Sequence, residues 1–95
     1  MVASTLFSNL SKFVKYKTVS GTTTASGNLT SDLVFASTFV IGAYIPGNST
    51  YIIQPWTYEG IGNWIFRVFD TSTGQVVAST SVEIRVIYVE SREVV

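Results

Sequence analysis

The stretch that decides the fold is "QVVASTSVEIRVIYV", residues 75–89. Every second side chain belongs to a mostly apolar set, and the intervening residues from Ser79 to Arg85 are polar. The apolar set is Val76, Ala78, Thr80, Val82, Ile84, Val86 and Tyr88. A period of two residues is typical of a β-strand, but strands of ordinary domains are usually only about 3–10 residues long. We therefore predict that the chain bends or changes sheets near residues 79–81, as the corner of a β-sandwich requires.

Shorter alternating runs precede this stretch, and turn signals separate them. The runs are "FVKYKTVS", "NLTSDLVF", "TFVIGAYIP", "TYIIQPW" and "NWIFRVFD", and the clearest turns are "PGNST" at 46–50 and "DTSTG" at 70–74. In the first run, Lys15 and Lys17 alternate with apolar side chains, which predicts a strand with one solvated face. Turn signals at this spacing predict an all-β fold: an antiparallel β-sandwich of jelly-roll or immunoglobulin-like type with about six to eight strands, or a small barrel.

The amino-terminal segment has a different period. Leu6, Phe7, Leu10, Phe13 and Val14 fall on one side of a helix for which Ser4 is available as the N-cap. Such a helix has only about three turns and is marginal unless it docks, so an extended arm is the alternative. We predict a helix or arm over residues 1–12 and a β-sandwich domain over residues 13–95.

Composition and charge narrow the class of function. Charged residues make up 13% of the chain, and six basic side chains balance six acidic ones. Without a basic patch, binding to nucleic acid through its phosphates is not expected. The longest apolar run, residues 33–47, is too short and too interrupted to span a membrane. A weakly charged surface rich in Ser and Thr gives little repulsion between copies, which favours a protein that lives in an assembly.

The chain contains neither histidine nor cysteine. The nucleophile–base arrangements that use these residues are therefore excluded. The acidic residues are scattered, so no carboxylate pair or Asp-rich cluster suggests a glycosidase or a cation site. We predict a protein that is not an enzyme, with no metal site and no cofactor.

Aromatic residues are the remaining candidates for binding. Trp56 and Tyr58 follow Pro55 in a predicted loop, whereas Trp64 shares strand parity with core candidates. Aromatic rings with polar neighbours can stack on a sugar while amide and carboxylate groups bind its hydroxyls. The predicted ligand or partner contacts are Trp56, Tyr58, Glu59 and Asn63.

Residues 18–89 resemble the small β-domains at the tips of bacteriophage tail fibres and other virion adhesion proteins. The resemblance rests on "VSGTTTASGNL", "VIGAYIPGNSTYIIQPW" and "GNWIFRVFDTSTGQVVASTSVEIRVIYV". It implies a trimeric or otherwise symmetric component of the virion, with distal loops that touch a host receptor. Because the chain begins with Met1 and carries no fibre shaft, a capsid decoration or vertex protein is the alternative within this class.

These observations leave three functional hypotheses. The first is an oligomeric virion structural protein that acts in capsid or tail assembly or in host attachment, alongside other virion proteins. Its predicted oligomer contacts are Leu6, Phe7, Leu10, Ile87 and Val89. The second is a stand-alone carbohydrate-binding module that binds a glycan through Trp56, Tyr58 and Trp64. The third is an immunoglobulin-like or bacterial surface spacer, which predicts neither an oligomer nor a ligand.

Overall fold

The computed structural model describes residues 14–58 and 60–90, which form seven β-strands and no helix. The strands are β1 (Val14–Thr22), β2 (Asn28–Val34), β3 (Thr38–Tyr44), β4 (Tyr51–Trp56), β5 (Asn63–Asp70), β6 (Gln75–Val76) and β7 (Ser81–Glu90). All pairings between them are antiparallel. The prediction of an all-β antiparallel fold is confirmed.

The strands form two sheets. One has three strands in the order β1-β7-β3; the other has the order β2-β5-β4, with β6 also paired to β5. Val19 lies opposite Ile84 in the first sheet, and Leu29 lies opposite Phe66 in the second. These four side chains meet in one core between the sheets, as a sandwich requires.

The predicted corner is confirmed, with one correction. β6 belongs to the four-stranded sheet and β7 to the three-stranded sheet, so the chain changes sheets between them. Ser79 has φ 51°, a left-handed conformation that turns the backbone at this point. The crossover also shifts the alternation by one residue, because Val77 is buried in the core whereas Ala78 is exposed.

The core is composed of aliphatic side chains around one phenylalanine. Its members are Val19, Leu29, Leu33, Val40, Phe66, Val68, Val77, Val82, Ile84 and Val86. Phe66 and Ile84 are fully buried, one from each sheet. Trp64, whose parity predicted a core residue, is only partly buried and packs against this cluster.

In β1 the lysines lie on the side that faces the other sheet, and Tyr16 lies on the solvated side. Lys15 and Lys17 share the parity of the core residue Val19, and Tyr16 between them points outward with 76% of its surface exposed. The Lys17 ammonium reaches the Asp32 carboxylate, with Nζ 2.7 Å from Oδ1, at the margin of the core. A hydrogen bond from Lys17 lowers the pKa of Asp32 below its ordinary value. The lysines therefore cover the rim of the sandwich, and Val14 and Tyr16 face outward.

The predictions for the amino-terminal segment lie outside the described residues. They comprise the helix or arm over residues 1–12 and the oligomer contacts Leu6, Phe7 and Leu10. Val14, the first described residue, belongs to β1.

Candidate functional site

The outer face of the three-stranded sheet carries an unusual number of apolar side chains. We call seven of these residues the apolar patch: Val14, Tyr16, Phe39, Ile41, Tyr44, Ile87 and Val89. The strand register places Ile87 and Val89 on the central strand, between the β1 and β3 members of the patch. These two predicted contact residues are half-buried, and the residues around them are more exposed.

Four members of the patch are substantially exposed. Tyr16 is 76% exposed, Phe39 63%, Ile41 55% and Tyr44 47%. With about 150–250 Å² for each aromatic side chain, the three rings alone present about 300–450 Å² to solvent. An area of this size equals the largest apolar patch of a typical monomer, and such patches commonly mark interaction sites.

A β-bulge in β3 enlarges the patch. Val40 pairs with Tyr88 and Gly42 pairs with Ile87, so Ile41 is an extra residue without its own partner. After the bulge, Ala43 returns to the core side and Tyr44 points outward. The strand therefore places two consecutive residues, Ile41 and Gly42, on the outer face.

The other half of this face is polar. Glu83 and Arg85 project from β7, and each is exposed. Arg85 forms no ion pair with another residue in the part of the chain that the structure describes. It lines a shallow hollow of about 240 Å³ together with Tyr16, Thr18 and Tyr44. An unpaired guanidinium thus lies directly beside the apolar patch.

The second candidate surface surrounds Trp56, and here the prediction of a loop was wrong. Trp56 is the last residue of β4 and pairs with Ile65 of β5. Its indole N–H donates to Asn28 Oδ1 across β5 at 3.3 Å, and the Arg67 guanidinium lies 4.6 Å from its ring centroid. Ile65, its cross-strand partner, is not a member of the core cluster and is only 3% exposed. Trp56 is therefore a half-buried part of the sheet surface.

The four predicted ligand contacts occupy different environments. Tyr58 stacks on Trp56 with ring centroids 5.4 Å apart and remains 52% exposed. Asn63 is engaged internally: its Nδ2 donates to the Ser31 carbonyl at 3.0 Å. The carbonyl of Asn63 accepts a hydrogen bond from Thr57 Oγ1 at 2.9 Å. Glu59 lies outside the described residues.

Phe35 is an exposed ring that the sequence patterns did not single out. Its amide donates to the Gly62 carbonyl at 2.9 Å, which holds the β2–β3 turn against the β4–β5 loop. Its ring is 5.0 Å from that of Trp64, and Trp64 in turn donates its indole N–H to the Thr38 carbonyl. Phe35 and Tyr58 both line a hollow of about 310 Å³ between these two loops. Only tertiary structure brings the two rings together, because they come from separate connections.

No protein family, curated protein or solved structure matches this chain. Within residues 14–58 and 60–90 there is no group of three or more acidic side chains that could hold a metal ion. The same residues contain no helix with the length and apolar character needed to cross a membrane.

Proposed function

We propose that this chain is a structural protein of a virion, a β-sandwich that assembles with copies of itself and with other virion proteins. The apolar patch is the observation that carries the proposal. The resemblance of residues 18–89 to virion adhesion domains supports the virion as its location. The low charge content of 13% supports assembly independently, since few charges keep copies apart.

The exposed rings of the patch give a large gross gain when they are buried between two copies. Burying the exposed rings of Tyr16, Phe39 and Tyr44 on two copies removes about 600–900 Å² from water. At about 25 cal/mol per Å², the gross gain is about 15–20 kcal/mol. Association costs about 4–15 kcal/mol in lost freedom of motion, and ordering of side chains adds to this cost, so the rings offset much of it and the rest of the outer face must supply the surplus.

Solution mass tests self-assembly directly. We expect sedimentation velocity at micromolar concentration to report an oligomer. Ile41→Glu places a charge in the patch and should give a monomer, because a buried unpaired carboxylate is costly. Ile52→Glu is the matched control: Ile52 is 54% exposed, against 55% for Ile41, but lies in the other sheet. A wild-type chain that remains monomeric at every concentration would refute self-assembly.

The virion assignment needs its own measurement. We expect mass spectrometry of purified particles from the source culture to detect the chain at a fixed ratio to the major capsid protein. A chain found only in the unassembled fraction would contradict the assignment.

Glycan binding is the second candidate function, and one observation favours it. Phe35 and Tyr58 are half-exposed rings beside one hollow, and each is braced by a tryptophan, Trp64 or Trp56. Rings held in place lose little freedom when a sugar stacks on them. Tyr58→Ala should abolish glycan-array binding without unfolding the domain, and Tyr44→Ala, from the opposite sheet, should leave it intact. Equal signals from the wild type and Tyr58→Ala would exclude this site.

A further inference from the structure

We propose that the apolar patch binds the same patch of a second copy, face to face, about a two-fold axis that runs along β7. The inference rests on the proposed self-assembly and names the geometry of the pair. It is based on the shape of the outer face: when the face is rotated by 180° about β7, large side chains at one edge of the sheet lie over small residues at the other edge.

The outer face consists of cross-strand rows, each with a residue of β1, then of β7, then of β3. The rows are Val14, Val89 and Phe39; Tyr16, Ile87 and Gly42; and Thr18, Arg85 and Tyr44. In every row one edge carries a large ring and the other a smaller residue. The ring lies on β3 in the first row, on β1 in the second and on β3 again in the third.

The middle row has the largest contrast. Tyr16 is the most exposed of the large apolar side chains in the described residues. Across the strand, Gly42 has no side chain, and apart from its two chain neighbours no atom lies within 4 Å of where a Cβ would stand. The row thus has a projecting ring at one edge and a recess at the other, with Ile87 between them.

A two-fold axis along β7 brings each ring over a smaller residue. The rotation exchanges left and right, so that β1 of one copy faces β3 of the other. Tyr16 then lies over the recess at Gly42 of the second copy, and Phe39 lies over its Val14. The third row behaves in the same way, with Tyr44 over Thr18.

The other in-plane axis, perpendicular to β7 at the middle row, gives the opposite result. It stacks Tyr16 on Tyr16 and Phe39 on Tyr44, and it leaves the two Gly42 recesses facing each other. It also places Arg85 over Val89. Interfaces pack as densely as protein interiors, so the arrangement that fills the recess is favoured.

Area agrees with this choice, whereas charge sets a condition on it. With the two β7 strands parallel, Arg85 faces Arg85 of the other copy across the axis, and Glu83 of that copy is offset by one strand repeat, about 6.6 Å along the strand, in addition to the separation between the two sheets. The two guanidinium groups repel each other, so each must turn toward Glu83 of the opposite copy, which gives the symmetric pair two contacts of opposite charge. A stable interface uses about 800 Å² on each partner, about twice the exposed ring area of the patch. The polar half of the face must therefore join the contact, which a face-to-face pairing achieves.

The test exchanges the projection and the recess. The backbone φ of Gly42 is not positive and its Cβ position is open, so Gly42→Tyr can be accommodated by the isolated domain. In the pair the new ring meets Tyr16 of the other copy, and we expect dimer affinity to fall about 100-fold or more. Tyr16→Ala should weaken the dimer about 10-fold or more. The double variant Tyr16→Ala/Gly42→Tyr should recover most of the affinity, because a ring again faces a small residue.

Sedimentation velocity supplies the affinities, and circular dichroism confirms that each variant is folded. Ile52→Tyr, which adds a ring to the other sheet, is the control and should leave the dimer unchanged. A wild-type monomer would refute the proposed self-assembly itself. An oligomer that is insensitive to both Gly42→Tyr and Tyr16→Ala, or one with the mass of a trimer, would overturn the two-fold pairing while leaving self-assembly standing. If Gly42→Tyr does not fold, Tyr16→Ala decides alone, since unchanged affinity overturns the pairing.

Discussion

Thr23 holds the sandwich corner, the segment between β6 and β7 in which the chain changes sheets. It lies between β1 and β2, is 3% exposed, and its hydroxyl donates to the Val77 carbonyl at 2.7 Å. The same oxygen accepts the Thr80 amide at 3.0 Å, and the Thr23 amide donates to the Thr80 carbonyl at 2.9 Å. One hydroxyl therefore satisfies two backbone groups of the segment that carries the chain from one sheet to the other.

Thr23→Val replaces the hydroxyl with a methyl group of similar shape. The Val77 carbonyl and the Thr80 amide then lose their partner, and each unsatisfied buried group costs about 1–3 kcal/mol. Because Thr80 is only partly buried and water can reach its amide in part, we expect a total loss of about 2–4 kcal/mol. For a domain of this size the melting temperature should fall by about 10–20 °C. Thr23→Ser keeps the hydroxyl and should cost only about 1 kcal/mol, the value of a buried methyl group.

The assay is denaturant unfolding of the three proteins, followed by tryptophan fluorescence. All are compared at one protein concentration, since association adds to apparent stability. Similar slopes with denaturant would show that the variants differ in stability and not in the surface that unfolding exposes. If Thr23→Val proved as stable as Thr23→Ser or more so, the hydroxyl would not hold the corner and the reasoning would be wrong.

Three further predictions concern other local features. Gly27→Ala should lower the free energy of unfolding by more than about 2 kcal/mol, because φ is +78° and the new Cβ would lie 2.7 Å from Val76 Cβ. Gly47→Ala is the control: φ is +75° but the space is open, so the loss should be only about 1–2 kcal/mol. Equal losses for the two variants would refute the clash at Gly27. A side-chain hydrogen bond from Ser72 lowers the pKa of Asp70 below its ordinary value of 3.8. The ionised carboxylate of Asp70 therefore stabilises the fold above pH 3.8, and this contribution is lost as the pH falls through the lower pKa of the folded state. Asp70→Asn should then make the free energy of unfolding less dependent on pH on the acid side. An unchanged slope of stability against pH would contradict this prediction. Trp56→Ala should destabilise the domain by about 1–3 kcal/mol in chemical denaturation, less than the about 3–5 kcal/mol of a tryptophan in a core, because the indole is half-buried. An unchanged stability would show that the indole is not part of the packed sheet surface.

Features set by local chemistry were predictable. Asp70 accepts hydrogen bonds from the Ser72 amide and hydroxyl, and Gly74 has φ +72°, so "DTSTG" forms the turn that its residues indicate. In "PGNST", Asn48 Oδ1 likewise accepts the amides of Thr50 and Tyr51. Such turns depend on side chains that reach only two or three residues along the chain.

The candidate surfaces were predictable only in part. Ile87 and Val89 were identified because their parity is opposite to that of the core residues of β7. The β3 and β1 members of the patch were missed, since "TFVIGAY" is apolar on both parities and its bulge cannot be read from the pattern. The signal that could have identified the β3 members is a strand with apolar side chains on both faces, because such a strand is expected to be buried on both faces. For Trp56, the preceding proline suggested a loop, but β4 is an edge strand, where proline is tolerated.

The sequence by itself determined that the part of the chain from residue 14 to residue 90 is all-β, where it turns, and that residues 75–89 cross from one sheet to the other. These features result from a period of two and from side chains that act on their nearest neighbours. Tertiary structure alone decided which parity of β1 and β3 faces the core. Lys15 and Lys17 could take the inner parity of β1 because Asp32, from the other sheet, lies within reach of Lys17 at the rim, and this placement turned Tyr16 outward. The recess at Gly42 likewise depends on pairing across the sheet between residues 45 positions apart, a relation that no local pattern contains.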